Sequence, residues 1–169
     1  QRQMCIRDRN ETVGIPSEAV KTLAENDAVE SVSTTRLSVF MPGAGDILPF
    51  ETDLSVQSHE TLQLVNVDEA QLQIYAPNLS AQDKQALKDG TGCLVKNPIA
   101  FSYGDTTVQQ TDLTVGDTIQ LGDRTLPVLG LIDTAITINN DGFTNGVQLI
   151  VNDEIYCLSL IHISEPTRP

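Results

Sequence analysis

The stretch of residues 113–133 constrains the fold of this chain more than any other. It reads LTVGDTIQLGDRTLPVLGLID, in which two β-prone segments flank Gly122-Asp123. Glycine at the first of two turn positions is typical of a tight hairpin turn of type II′. Pro127 lacks the N–H that a sheet ladder needs, so the second strand is expected to lie at a sheet edge or to carry a bulge. The stretch holds no catalytic motif and therefore favours a structural or coupling role.

The remaining signals divide the chain into two halves. The first half contains three helical patterns. The first opens at Ile15-Pro16-Ser17 with Ser17 as its expected cap, and the other two open at the capping residues Asp68 and Ser80. It also contains strand patterns at residues 29–41 and 61–67. The second half contains only strand and turn signals, at residues 92–95, 106–110, 118–121, 124–132, 135–138 and 147–151. The sequence therefore predicts an α+β fold, a mixed sheet with a helix-bearing first half and a β-rich second half, and leaves the strand order open.

The two ends of the chain differ from everything between them. Residues 1–9 (QRQMCIRDR) and 157–169 (CLSLIHISEPTRP) resemble translated sequencing-adapter read-through, and we interpret both as artefactual tails outside the fold. Residues 10–156 are then expected to form one domain, a fragment of a larger protein. On this interpretation Cys5 and Cys157 form neither a disulfide nor a metal site. No apolar run inside the fragment approaches the ~20 residues that span a bilayer, and a membrane helix could lie just outside either end.

The charge balance excludes two classes of partner. The chain has 23 acidic and 10 basic residues, a net charge of −13. Nucleic acids and anionic membrane surfaces are bound by Lys and Arg, so neither is an expected partner. Tryptophan is absent, which argues against an aromatic platform for carbohydrates or bases.

Candidate nucleophiles and bases are few. His59 lies in a polar stretch without a Gly-x-Ser-x-Gly elbow, and we interpret it as a solvated residue. Cys93 begins an apolar strand, whereas a nucleophile requires a basic neighbourhood or a nearby histidine, and we expect a small buried side chain rather than a reactive thiolate.

Candidate ion and phosphate sites are also weak. Asn139-Asn140-Asp141-Gly142 suggests a calcium loop, but an EF-hand alignment places Thr137 and Gln148 where carboxylates are required. Asx-turn chemistry explains this cluster, although a weak calcium site there is left open. Asp153-Glu154 is interpreted as a solvated pair on opposite sides of a strand, and no glycine-rich phosphate loop exists. The sequence thus predicts no catalytic, cofactor-binding or metal-ligating residue.

Four stretches together resemble the extracytoplasmic domain of FtsX/MacB-like ABC-transporter permeases. They are the helix-strand opening IPSEAV…DAVESVS, the strand GTGCLVKNP at residues 90–98, the Gly116-Asp117 hairpin, and the closing strand VQLIVNDEIY at residues 147–156. In this family a helix follows the closing strand. Cys93 stands where the family more often has an aliphatic residue.

The resemblance implies a non-enzymatic role at the cell membrane, with this domain on the extracytoplasmic side. In such transporters a cytoplasmic ATP-binding subunit hydrolyses ATP, and the permease transmits the motion through its membrane part. The extracytoplasmic domain binds a substrate or a partner protein. Two alternatives remain open: a secreted or cell-surface β-rich binding module without a transporter, and a hydrolase that uses His59.

Overall fold

The computed structural model describes residues 15–56, 60–96, 100–103, 106–109, 113–133 and 146–160. The helices are α1 (Ser17–Ala24), α2 (Glu69–Tyr75), α3 (Ala81–Asp89) and α4 (Asp153–Leu158). The strands are β1 (Thr35–Phe40), β2 (Thr61–Val67), β3 (Cys93–Lys96), β4 (Ala100–Tyr103), β5 (Thr106–Gln109), β6 (Thr118–Leu121), β7 (Arg124–Ile132) and β8 (Gly146–Ile150). A 3-10 turn, Pro42–Ala44, follows β1.

Six of the strands form one mixed sheet in the order β1-β2-β8-β3-β7-β6. The pairs β2–β8 and β3–β7 are parallel, and the other neighbours are antiparallel. Strands β4 and β5 form a separate antiparallel pair. The predicted α+β fold with a mixed sheet is confirmed.

Apolar side chains are buried on both faces of this sheet. On one face Leu64 and Leu149 pack with Ile155 of α4 and with side chains of the segment that follows β1, such as Phe50. On the other face Val65 and Ile150 pack with residues of α2 and α3. The central strands are therefore covered on both sides, which explains why the segment LQLV of β2 is apolar beyond simple alternation.

Two of the three predicted helix caps are present; Ser17 is instead the first residue of α1, which no side chain caps. Asp68 accepts a hydrogen bond from the Gln71 backbone N–H at 2.9 Å and begins α2. Ser80 accepts one from the Asp83 backbone N–H at 3.1 Å and begins α3. Local Asx and Ser chemistry sets both boundaries, because each side chain satisfies a backbone donor that has no partner within the helix.

The predicted hairpin pairs β6 with β7, and Gly122 has the positive φ, 61°, that its turn position requires. Of the two alternatives predicted for the strand of Pro127, the edge position is excluded, because β7 lies between β6 and β3. The Val128 N–H donates to the Asp117 carbonyl at 2.8 Å, on the β6 side of the strand. The nitrogen of the preceding residue, Pro127, therefore faces β3. The pairing of β7 with β3 begins only at Val128. The register of β7 with β3 then shifts between Val128 and Gly130, which agrees with the second alternative, a bulge.

Strand β1 is shorter than predicted, because it begins at Thr35 rather than at residue 29. Its partner β2 ends at Val67, and the Asp68 carboxylate binds the Thr34 N–H at 2.6 Å. Residues before Thr34 therefore have no residue of β2 to pair with. The predicted strand at residues 135–138 lies outside the described residues.

The end of the described chain packs on the sheet. Residues 157–160, which the sequence interpretation placed in an artefactual tail, complete α4 and its last turn. Ser159 is buried, and its hydroxyl lies 2.8 Å from that of Ser38. Cys157 is disulfide-bonded, contrary to the expectation that it forms no disulfide. No helix in the described part of the chain is long and apolar enough to cross a membrane.

Candidate functional site

A cleft of about 510 Å³ lies where the parallel strands β2 and β8 end. Its floor is formed by the buried side chains of Leu72, Leu87 and Ile150. Helices α2 and α3 and the start of α4 form its walls. Ligands of sheets covered by helices commonly bind at the carboxyl ends of parallel strands, and the volume is within the usual range for small-molecule sites.

The chain folds this way locally because each of the two strands is followed at once by a helix cap. Asp68 follows β2 and caps α2, while Asn152 follows β8 after Val151 and accepts the Ile155 backbone N–H at 2.9 Å. The Asn152 side-chain amide also donates to the Lys88 carbonyl at 3.1 Å, which joins α4 to α3 across the cleft. The cleft walls are thus fixed by hydrogen bonds at the ends of both strands.

The rim of the cleft carries both signs of charge. Lys84 donates to the Gln73 side-chain oxygen at 3.0 Å, and both carboxylate oxygens of Asp68 accept backbone N–H groups. Asp153 forms an ion pair with Arg36. Glu69 and Lys88 form no side-chain hydrogen bond or ion pair within the described ranges, so both side chains are free to bind a ligand.

The predicted behaviour of Cys93 is confirmed. Its side chain is fully buried in β3 within the core of the sheet, and no disulfide engages it. Burial raises the pKa of the Cys93 thiol to about 12, which disfavours the thiolate. The thiol is therefore neither accessible nor ionised enough to act as a nucleophile near neutral pH.

Other residues singled out in the sequence fall elsewhere. His59, Thr137 and the turn Asn139-Asn140-Asp141-Gly142 lie outside the described residues. Gln148 lies inside β8, where it is buried and donates to the Gln63 side-chain oxygen at 2.8 Å. Gln148 is thus a side chain of the sheet interior, not a loop residue.

The expectation for Asp153 and Glu154 was wrong in its geometry. Both residues lie in the first turn of α4, not on a strand. Each remains largely exposed and forms an ion pair, Asp153 with Arg36 of β1 and Glu154 with Arg124 of β7. The two acids therefore connect α4 to strands on either side of the sheet centre, and they also lie where acidic residues favour a helix start.

The cleft suits non-covalent binding of a ligand with an apolar body and polar ends. Its lining contains no cysteine or histidine. Among the described residues there is also no group of three or more His, Cys, Asp or Glu side chains that could hold a metal ion. The apolar floor supplies buried contact area, while Lys88 and Glu69 can orient a charged or zwitterionic group.

Sequence reasoning did not identify this cleft. Its walls come from segments about 85 residues apart, which meet only because β8 inserts beside β2. One signal was available: Val67-Asp68 and Val151-Asn152 both place an Asx cap just after an apolar strand. Two such junctions indicate helices that begin at strand ends, but not that the two strands are parallel neighbours.

No protein-family model, curated protein or solved structure matches this chain.

Proposed function

We propose that this chain is the extracytoplasmic domain of an FtsX/MacB-like ABC-transporter permease, which binds a substrate or partner protein and catalyses no reaction itself. One observation carries the proposal. Of the four stretches that resemble the family, three supply consecutive strands of the sheet, in the order β8-β3-β7-β6. The fourth supplies α1 and leads into β1. If the similarity to the family reflects a common sheet, stretches that are far apart in the sequence are expected to form neighbouring strands, as these do.

Helix α4 adds support from the end of the closing strand. The family resemblance implies a helix after that strand, and α4 begins at Asp153, three residues after the end of β8. Its side chains Ile155 and Tyr156 are buried against the sheet. A helix fixed in this way can transmit force between the sheet and whatever follows it in the parent protein.

The cleft at the ends of β2 and β8 is the proposed binding site. It contacts the start of α4, so an occupant of the cleft would touch the element that leads out of the domain. This arrangement fits a domain that senses a ligand and couples its binding to the ATP-driven motion of a cytoplasmic subunit. The domain would lie on the outer side of the cell membrane.

Thiol labelling in whole cells tests the proposed location. Ile47 is 90% exposed, so an Ile47→Cys variant of the parent protein adds a thiol that a maleimide can reach. Cys93 is fully buried and should not react. We expect a membrane-impermeant maleimide to label Ile47→Cys in intact cells. The unsubstituted parent protein is the control for background labelling. Labelling of the variant only after cell lysis would contradict an extracytoplasmic position.

Charge reversal tests the proposed cleft. Lys88→Glu and Glu69→Lys each reverse a charge on the rim of the cleft. Lys21→Glu is the control, because it reverses a charge on α1, away from the cleft. Lys21 lies 4.0 Å from Glu25 there, and both side chains are exposed. In native membranes that contain the assembled transporter, we expect either rim variant to change ATP hydrolysis several-fold. The Lys21→Glu variant should match the unsubstituted protein. Equal rates for all variants would contradict coupling through this cleft.

A further inference from the structure

The two edges of the six-stranded sheet differ in how they are covered. At the β6 edge, the Gly122 N–H donates to the Glu51 carbonyl at 2.7 Å, and the Gln120 N–H donates to the Asp53 carboxylate at 2.9 Å. Residues 51–53 therefore occupy that edge. No comparable segment of the described chain lies along β1, the other edge.

The open groups of β1 can be assigned by the alternation of the ladder. The Asp68 N–H donates to the Thr34 carbonyl at 3.2 Å, so the even-numbered residues of β1 face β2. The N–H and C=O groups of Thr35, Leu37 and Val39 then point away from the sheet. None of them has a hydrogen-bond partner among the described residues. The open edge ends at Met41, whose N–H is bound by the Asp46 carboxylate at 2.7 Å.

This edge lacks three of the features that commonly prevent strands from pairing, namely lysine, proline and a bulge. Native edges are often protected by lysine, proline or a bulge, and the sequence TRLSVF contains neither residue and pairs with β2 in unbroken register. Its one charged side chain, Arg36, is turned onto the sheet face, where it binds Asn66 at 2.6 Å. Val39 is 40% exposed. The edge is therefore a template for another strand.

We propose that β1 pairs antiparallel with β1 of a second copy of this chain, about a twofold axis at Leu37. In this register Leu37 lies opposite the partner's Leu37, and Thr35 lies opposite the partner's Val39. Each outward residue donates one N–H and accepts at one C=O. The two six-stranded sheets become one continuous sheet. This inference does not depend on the proposed transport function.

The register itself argues for a second copy as the occupant. Centred on Leu37, the pairing places Arg36 opposite the partner's Ser38, so no like charges meet. A shift of two residues in one direction would place Arg36 opposite the partner's Arg36. The opposite shift would require the Met41 N–H, which Asp46 already binds. The open segment is thus complementary to itself in one register.

Long-range charge opposes this association and makes it depend on salt. Two chains of net charge −13 repel each other, and screening reduces that repulsion. The dimer should therefore be stronger at about 0.5 M NaCl than at about 0.05 M NaCl, since the Debye length falls several-fold between them.

Sedimentation and amide hydrogen exchange of the full chain test the proposal. We expect a concentration-dependent dimer, and protection of the Thr35, Leu37 and Val39 amides that rises with dimer fraction. Val39→Pro removes one outward donor and should weaken the dimer at least about tenfold. Val39→Thr keeps that N–H and is the matched control, which should dimerise like the unsubstituted chain.

Two results would overturn the proposal. One is a chain that stays monomeric at both salt concentrations with these three amides unprotected, which is also the result expected if a different protein fills the edge. The other is a dimer that forms while the three amides exchange freely. The exchange experiment needs no substitution, so it decides the matter even if Val39→Pro does not fold.

Discussion

The guanidinium of Arg36 lies over the ring of Tyr156, 4.8 Å from the ring centroid. This contact joins the edge strand β1 to helix α4, which are 120 residues apart in the chain. Arg36 also donates to the Asn66 side-chain oxygen, and partial burial lowers the pKa of its guanidinium. The contact is a cation–π interaction at a site partly removed from water.

Arg36→Ala should therefore destabilise the domain. We expect a loss of about 1–2 kcal/mol in the free energy of unfolding, from the ring contact and the hydrogen bond to Asn66. The ion pair with Asp153 adds little, because that carboxylate is largely exposed. Urea unfolding measures the change. Tyr156→Phe keeps the ring and loses only the contact of its hydroxyl with Ser38, so a loss as large as that of Arg36→Ala would contradict this account.

Burial of the Cys93 thiol should make the stability of the domain fall at alkaline pH. Its pKa is raised in the folded state, so the folded protein holds this proton at pH values where the unfolded chain releases it. The resulting stabilisation is complete below the unfolded pKa of about 9 and is lost as pH rises towards about 12. Urea unfolding from pH 8 to 11 should show this decline. Cys93→Ala should have a shallower decline, and identical slopes would contradict the assignment.

The parallel pairing of β2 and β8 depends on the absence of a side chain at position 146. A Cβ atom there would lie 1.9 Å from the Thr61 carbonyl oxygen. Gly146→Ala should reduce the free energy of unfolding by at least about 2 kcal/mol, because backbone must move. Gly45→Ala is the control, since Gly45 has open space around it and only its positive φ opposes substitution, at about 1 kcal/mol. Thermal unfolding should rank the two variants in this order; the reverse order would count against the β2–β8 register.

The Asp68 carboxylate stabilises two elements at once. One oxygen caps α2 at Gln71, and the other binds the Thr34 N–H at the start of β1. Asp68→Ala should cost about 1–3 kcal/mol, more than the loss of about 1 kcal/mol expected for Ser80→Ala at the cap of α3. Chemical unfolding compares them. A smaller loss for Asp68→Ala than for Ser80→Ala would show that the bond to Thr34 contributes nothing.

Elements with local signals could be predicted from the sequence. Strand Thr61–Val67 and the caps Asp68 and Ser80 are where the pattern placed them, because each depends on residues close in the chain. The hairpin around Gly122 is a further case. The insertion of β8 between β2 and β3 could not be predicted, since it depends on packing between distant segments. The same applies to the cleft and to the ion pairs of Asp153 and Glu154, which exist only after α4 docks.

Sequencing the parent locus across both ends of this chain tests the central claim most directly. Long reads should replace the adapter-like peptides with native sequence. The permease proposal predicts an apolar span of about 20 residues just before Asn10, further spans after residue 156, and a neighbouring gene for an ATP-binding subunit. A signal peptide on one side and soluble repeats on the other would contradict it, and would indicate a secreted or cell-surface binding module.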